Sequence, residues 1–276
     1  MTEDEVYPNA PVVLVTMEIR HPPAGSLTSS ENRALKRLLA ERLPIERPGQ
    51  NVHFEIAAPP AQPTATVERF PRFLNRDSNI AVAIREQSTI VETSAYQGWQ
   101  SFVELLWLVL EARVQVSPIA GIERVGLRYI DEIRAPESPA DVGNWGDWVD
   151  TSLLGPKADK STATGVELME LQGAAVYRCP RPGQSLVLRY GPRDGYAVDP
   201  NSDLRRVKAV DPGPFFLMDI DSFWVPDGPI PEFEKDYLDS IYDDLHRPVR
   251  TLFEDLITDR YRNEVLRNGQ NNGPSL

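Results

Sequence analysis

The stretch VGLRYIDEIR, residues 125–134, decides our expectation for the fold. Successive side chains of a β-strand point to opposite faces, so this run predicts one face made of Val125, Leu127, Tyr129, Asp131 and Ile133. The other face then carries Arg128, Ile130, Glu132 and Arg134. We predict that the first face meets the core. Arg128 and Glu132 are expected to pair with charges on a neighbouring strand, and the alternative for Arg128 is contact with a ligand.

Segments on both sides of this stretch have the same β character. Upstream, PVVLVTMEIR (11–20), NVHFEIAA (51–58) and three short runs between 67 and 94 predict strands joined by polar turns. Downstream, the segments 166–180, 184–192 and 215–225 predict a second meander of strands. The sheet is therefore expected to be antiparallel and built from hairpins.

Three helices are predicted between and after these strands. Thr28 and Glu31 have capping-box spacing before a short helix that ends at Pro44. A long central helix is expected from about Gln97 to Val116, with Ser94 and Gln97 at the same spacing. The run 231–266 predicts a long amphipathic helix kinked at Pro248, because proline cannot donate the backbone hydrogen bond of an interior position.

This pattern predicts an α+β protein of two packed halves. Each half is an antiparallel sheet with a long helix, and the first half opens with a βα unit. The predicted boundaries are an N-terminal α+β half at 1–134, a connector with a short helix at 135–165, a C-terminal α+β half at 166–267 and a disordered tail at 268–276.

Composition excludes several classes of function. Acidic residues outnumber basic ones by 41 to 29, and the net charge of −12 argues against nonspecific nucleic-acid binding. The acidity suits solubility or a basic protein partner. The single Cys179 excludes an intramolecular disulfide. Neither a signal peptide nor a membrane-spanning run is seen, so we expect a cytoplasmic protein with no membrane association. No nucleotide-binding loop is found, and no cofactor is expected.

The segment FFLMDIDSFW, residues 215–224, contains the candidate metal site. Asp219 and Asp221 lie on one face of a strand about 7 Å apart, which is close enough to share a divalent cation. The alternative is an ordinary strand face with hydrogen-bonded or exposed acids. Phe223 and the absence of a Gly-Ser loop upstream depart from known phosphotransfer motifs, which favours that alternative.

Two further groups of residues were candidates for chemistry. Arg205, Arg206 and Lys208 form a basic cluster in the loop 193–214, which could meet an anionic ligand or be a solvated loop. The three histidines, His21, His53 and His246, match no nucleophilic triad or zinc motif. His246 directly precedes Arg247 and Pro248, and we interpret it as part of the helix kink.

Several segments together resemble a family of uncharacterised bacterial proteins with a sporadic distribution. They are YPNAPVVLVTMEIR (7–20), SAYQGWQSF (94–102), VGLRYIDEI (125–133), FFLMDIDSFW (215–224) and LHRPVRTLFEDLITDRYR (245–262). The chain departs from the family pattern at Asp131, where the family has asparagine. The resemblance implies an accessory or defence-linked role, and it supplies no catalytic residues. Tyr96, Trp99 and Phe102 are interpreted as an aromatic ridge that packs on the sheet.

Three functions stay open from the sequence. The first is a non-enzymatic protein-interaction or regulatory module, because none of the motifs is chemically specific. The second is a metal-dependent phosphotransfer or hydrolase enzyme that uses Asp219 and Asp221, with Arg128 as an anion-binding residue. The third is a small-ligand binder with a pocket between the two halves.

Overall fold

A computed structural model describes residues 5–55, 64–136, 144–155, 169–208 and 210–268. Nine antiparallel strands form one sheet in the order β2-β3-β4-β5-β1-β6-β9-β8-β7. The strand bounds are Val12–Arg20 (β1), Ile45–Glu55 (β2), Thr64–Leu74 (β3), Ile80–Ile84 (β4), Ser88–Thr93 (β5), Arg124–Ile133 (β6), Gly173–Arg178 (β7), Gln184–Arg193 (β8) and Phe215–Trp224 (β9). The predicted antiparallel α+β fold is confirmed.

Strand β6 lies between β1 and β9 and joins the two parts of the chain. Leu127 pairs with Met17 on one side and with Ser222 on the other. Strands from both predicted halves therefore belong to a single sheet rather than to two, because β6 has a hydrogen-bonded neighbour along each edge. The division of the chain into two halves stays a prediction.

The described α-helices contribute to one hydrophobic core with the sheet. They are α1 (Ser29–Leu39), α2 (Trp99–Val116), α3 (Lys235–Leu256) and α4 (Asp259–Tyr261). The strands supply alternate residues to this core, among them Met17, Val91, Leu127 and Met218. As predicted, Val125, Leu127, Tyr129, Asp131 and Ile133 are all buried on β6. The sheet thus has one helix-covered face, and the alternation of β6 is what directs Tyr129 and Asp131 into it.

The two predicted capping boxes have different outcomes. Thr28 and Glu31 form the predicted box at the start of α1. The box of Ser94 and Gln97 is wrong, because α2 begins after Gly98, which makes no side-chain cap. Ser94 Oγ instead donates to the carbonyl oxygen of Arg205 in a distant loop. Gly98 has a φ of 121°, a conformation that favours glycine and that turns the chain into the helix.

The last predicted helix is shorter than expected. Helix α3 continues through Pro248 and ends at Leu256. The break comes at Ile257, which forms a β-bridge with Val149, while Asp150 N donates to the carbonyl oxygen of Leu256. The short α4 and a π-helical turn at Arg262–Leu266 then follow. A single helix to 266 was therefore wrong, because a contact from the connector ends it.

The connector and tail are described only in part. Two 3-10 turns, Asn144–Asp147 and Thr151–Leu153, stand where a short helix was predicted. The rest of the predicted connector that falls at 137–143 and 156–165 lies outside the described residues, as does the tail from 269 onward. Among the helices that are described, none is long and apolar enough to cross a membrane.

The second face of the sheet carries a long loop, residues 194–214, between β8 and β9. Leu204 packs in a small buried cluster with Leu74 and Ala81. The backbone of the loop is also tied to the turn before β4, since Arg205 N donates to the carbonyl oxygen of Ser78 at 2.6 Å. The loop therefore crosses the sheet from β8 and β9 to the side of β3 and β4.

Candidate functional site

A cavity of about 440 Å³ lies on the helix-covered face of the sheet. Its walls come from the N-terminal segment 5–12, the segment 96–101 at the start of α2, the middle of α3 at 246–254, and Tyr129 and Asp131 of β6. Three of these segments are far apart in sequence. Its volume falls within the range of about 300–1,000 Å³ typical of small-molecule sites.

Aromatic rings form much of the cavity wall. Trp99 stacks on the imidazole of His246 with ring centroids 4.2 Å apart and an interplanar angle of 8°. Tyr96 meets Tyr129 edge to face at 5.4 Å. Gly98 separates Tyr96 from Trp99, and its positive φ lets the chain present both rings to the same cavity.

A chain of polar atoms runs along this wall. Tyr129 Oη lies 3.0 Å from Tyr96 Oη and 3.2 Å from His246 Nδ1. Burial, followed by the neighbouring Tyr96, raises the pKa of Tyr129 well above its usual value, so the hydroxyl stays neutral. The three groups therefore form a hydrogen-bonded chain of polar atoms along the cavity wall.

Asp131 is the buried acid of the cavity. Only 5% of the residue is exposed, and its carboxyl makes no hydrogen bond or ion pair with any residue in the described part of the chain. Burial, with the charge of Asp219 as a second cause, raises the pKa of Asp131 to about 8. The β1 and β6 pairing is irregular between Val12 and Leu14, opposite this residue, and such bulges often lie beside functional sites.

The rim of the cavity is formed by paired charges. Tyr7 Oη lies 3.0 Å from both carboxylate oxygens of Glu254, which also accepts from Arg262 at 3.1 Å. Glu5 is paired with Arg267 at 2.7 Å. Arg250 donates to the backbone oxygen of Glu5 at 3.1 Å. These contacts hold the N-terminal segment against α3 and close one side of the cavity.

The predicted site residues of β6 and β9 lie on the opposite face of the sheet. Arg128 donates from Nε and Nη2 to the two oxygens of Asp219 at 2.7 and 2.8 Å, which confirms the predicted cross-strand pairing of Arg128. Arg189 approaches the same carboxylate at 3.5 Å. Asp221 lies 3.9 Å from Arg124. Asp219 is thus held by arginine, and none of these side chains lines the cavity described above.

The residues of the predicted basic cluster have different environments in the structure. Arg206 is largely buried and forms a bidentate pair with Glu132, so its charge is compensated. Glu132 is therefore paired with the loop rather than with a neighbouring strand as predicted. Lys208 donates to Asn9 Oδ1 at 2.9 Å, and Arg205 is exposed. Lys208 and Arg206 border a second cavity of about 300 Å³ next to the first, whereas Arg205 does not.

Within the described ranges, no group of three or more His, Cys, Asp or Glu residues could hold a metal ion. Asp219 and Asp221 share one face of β9 as the alternation predicts. A metal at these two acids, and an anionic ligand at Arg128, Arg205, Arg206 and Lys208, stay predictions.

Sequence reasoning missed the residues that form the cavity. Tyr96 and Trp99 were interpreted as packing residues and His246 as part of a kink, whereas all three line the cavity. One signal was available, because the alternation of β6 places an acid on an otherwise apolar face. That acid, Asp131, is a buried carboxyl, a group that needs either a partner or a function, and the sequence analysis did not use this signal.

Neither the family models nor the curated proteins searched contain a match to this chain. The resemblance to the sporadically distributed bacterial family therefore stays an expectation.

Proposed function

We propose that this protein binds a small organic ligand in the cavity between α2, α3 and the sheet. The observation that carries the proposal is the buried carboxyl of Asp131, which has no partner in the described chain and opens into an aromatic cavity. An apolar cavity with a few convergent polar groups and a perturbed pKa is the usual form of a ligand site. This is the third function left open by the sequence.

The walls and the polar groups have separate roles in this proposal. The rings of Trp99, Tyr96 and Phe253 offer apolar area, which supplies most of the binding free energy. Asp131, Tyr129 and His246 offer hydrogen-bonding atoms, which orient the ligand. Leaving the Asp131 carboxyl buried without a partner costs stability, and a ligand that supplies the partner recovers that cost.

A neutral fluorescent guest, N-phenyl-1-naphthylamine, tests whether the cavity takes organic molecules. Val12 lines the cavity and pairs with Asp131 across the β1 and β6 ladder, so Val12→Trp should fill the space and weaken binding at least tenfold. Val176→Trp is the matched control, because Val176 is an exposed strand valine outside the cavity. Thermal unfolding verifies that both variants are folded. Equal binding by wild type and Val12→Trp would refute the site.

A protein-interaction module is our second candidate, and strand β7 favours it. This edge strand exposes 74% of Val176 and 41% of Tyr177, and no described strand pairs with its outer edge. Exposed edges can accept a strand from a partner. Affinity capture with wild type and Val176→Lys should then recover a protein with wild type alone. Recovery by both would exclude this edge as the contact.

A further inference from the structure

We propose that the ligand is an organic ammonium compound and that Asp131 is its counter-ion in the cavity. This inference rests on the proposed function and adds the charge and class of the ligand.

The first support is the isolation of the Asp131 carboxyl. The titratable or charged groups around it come from every element that packs nearby. They are Tyr129 on β6, Tyr96 before α2, His246, Arg250 and Glu254 on α3, Tyr261 on α4, Glu5 of the N-terminal segment and Asp219 across the sheet. None of them forms an ion pair or a hydrogen bond with Asp131 in the described structure. The missing partner is therefore a cation or a hydrogen-bond donor.

The second support is the balance of charge around the cavity. Arg250 is the one arginine or lysine of its described lining, and it reaches the backbone of Glu5 at the rim. The rim acids Glu5 and Glu254 are already paired with Arg267 and Arg262. Asp131 is thus the acid of the cavity that lacks a counter-ion. An anionic guest would be repelled by the ionised Asp131 carboxyl and would hold this carboxyl in its protonated form.

The third support is the aromatic wall. Trp99, Tyr96 and Tyr129 present ring systems to the same space as Asp131. A ring face attracts a cation through its quadrupole, and it also packs against an apolar body. A guest with an ammonium group and a hydrophobic or aromatic frame would satisfy both kinds of surface. The cavity volume of about 440 Å³ admits a molecule the size of an indole with a short side chain.

A dependence on pH follows from this arrangement. In the empty cavity burial raises the pKa of Asp131 to about 8, so the carboxyl is mostly protonated at pH 6. An ammonium guest favours the carboxylate, so at pH 6 its binding releases a proton from Asp131. The affinity for an amine should therefore rise between pH 6 and pH 8. A neutral guest needs no such release.

Three indoles of similar size and different charge serve as probes. Tryptamine carries an ammonium, tryptophol is neutral and indole-3-acetate is an anion. Each competes with the neutral fluorescent guest on the full chain, in wild type and in Asp131→Asn, at pH 6.0 and pH 8.0. Asparagine keeps the shape of aspartate and removes its charge. The readout is the ratio of the tryptamine and tryptophol affinities, which a general change in the cavity would not alter.

We expect wild type to prefer tryptamine to tryptophol at least tenfold at pH 8.0, and to show a smaller ratio at pH 6.0. The ratio should fall below threefold in Asp131→Asn. A wild-type ratio near one, a preference for indole-3-acetate, or a ratio that Asp131→Asn leaves unchanged would overturn the inference while the neutral guest still binds. If neither the neutral guest nor any indole binds, the proposed function itself fails and the inference fails with it.

Discussion

Asp131 and Glu132 are adjacent in the chain, and both are buried, but they lie on opposite faces of the sheet in opposite environments. Glu132 accepts hydrogen bonds from Arg206, from Arg134 at 2.9 Å and from the backbone of Ala197. Asp131 has none of these in the described structure and faces a cavity. Of these two adjacent residues, Glu132 therefore holds a loop in place through its carboxyl, whereas the carboxyl of Asp131 is open to a ligand.

The two environments shift the pKa values of the two carboxyl groups in opposite directions. Burial raises the pKa of Asp131 to about 8. Burial also raises the pKa of Glu132, but hydrogen bonds from Arg206, Ala197 and Arg134 outweigh it and lower this pKa below its usual value. Glu132 thus stabilises the fold above the pKa of an unfolded glutamate, and this stability is lost as the pH falls. Burial of Asp131 instead lowers the stability of the fold by an amount that grows as the pH rises from about 4 to about 8, because the carboxyl ionises more easily in the unfolded chain.

The largest expected effect is that of Glu132→Gln. The change leaves the largely buried Arg206 and the half-buried Arg134 without a carboxylate, and breaking a buried ion pair in this way costs about 3–5 kcal/mol. Urea denaturation at pH 7 measures this free energy of unfolding. Loss of the pair should also loosen the loop 194–214, which amide hydrogen exchange can detect. A loss of under 1 kcal/mol would contradict the role assigned to Glu132.

In the absence of ligand, Asp131→Asn should raise the free energy of unfolding, whereas Glu132→Gln should lower it. At pH 8 the raised pKa of Asp131 corresponds to at most about 6 kcal/mol, because each pKa unit corresponds to about 1.4 kcal/mol. The buried amide of asparagine keeps part of the desolvation cost, so we expect a gain of roughly 2–4 kcal/mol. Well below pH 4 the acid is protonated in both the folded and the unfolded state, so the part of the difference that comes from its ionisation should vanish. Denaturation of wild type and variant across this range measures both limits. A variant less stable than wild type at pH 8 would show that Asp131 has a partner.

A smaller loss is expected for Asp219→Asn. Its partner Arg128 is 47% exposed at the side chain, so solvent screens the pair, and about 1–2 kcal/mol should be lost. The same melting experiment with millimolar Mg²⁺ examines the metal hypothesis, since a bound ion would raise the stability of wild type and not of the variant. A metal-dependent rise in the stability of wild type would favour the hypothesis that Asp219 and Asp221 form the metal site of an enzyme.

The smallest effect is expected for Arg205→Ala. This side chain is exposed, and the contact that fixes this part of the loop uses the backbone of Arg205. The free energy of unfolding should change by less than about 0.5 kcal/mol, as for most surface substitutions. A larger loss, measured by the same denaturation, would give the side chain a structural role that its exposure does not indicate.

Local patterns predicted most of the strands and the burial of the β6 face, because alternation and capping act within a few residues. The pairing of Arg128 was also predictable, because a charged residue on a strand lies beside residues of the neighbouring strands and can pair with an opposite charge there. The end of α3 was not, because the bridge between Ile257 and Val149 joins residues far apart in sequence. The residues that line the cavity escaped prediction for the same reason. Its walls come from segments near 10, 100, 130 and 250, which only the folded chain brings together.

The measurement that decides between a partnered and a lone Asp131 is a carbon-13 NMR titration of its carboxyl, assigned by comparison with Asp131→Asn. In the absence of ligand we expect an apparent pKa well above 7, and saturating tryptamine should move it to a lower value as the ammonium favours the carboxylate. An apparent pKa below 5 in the empty protein would mean that the carboxyl is already solvated or paired. A raised pKa that tryptamine leaves unchanged would mean that no ammonium reaches it.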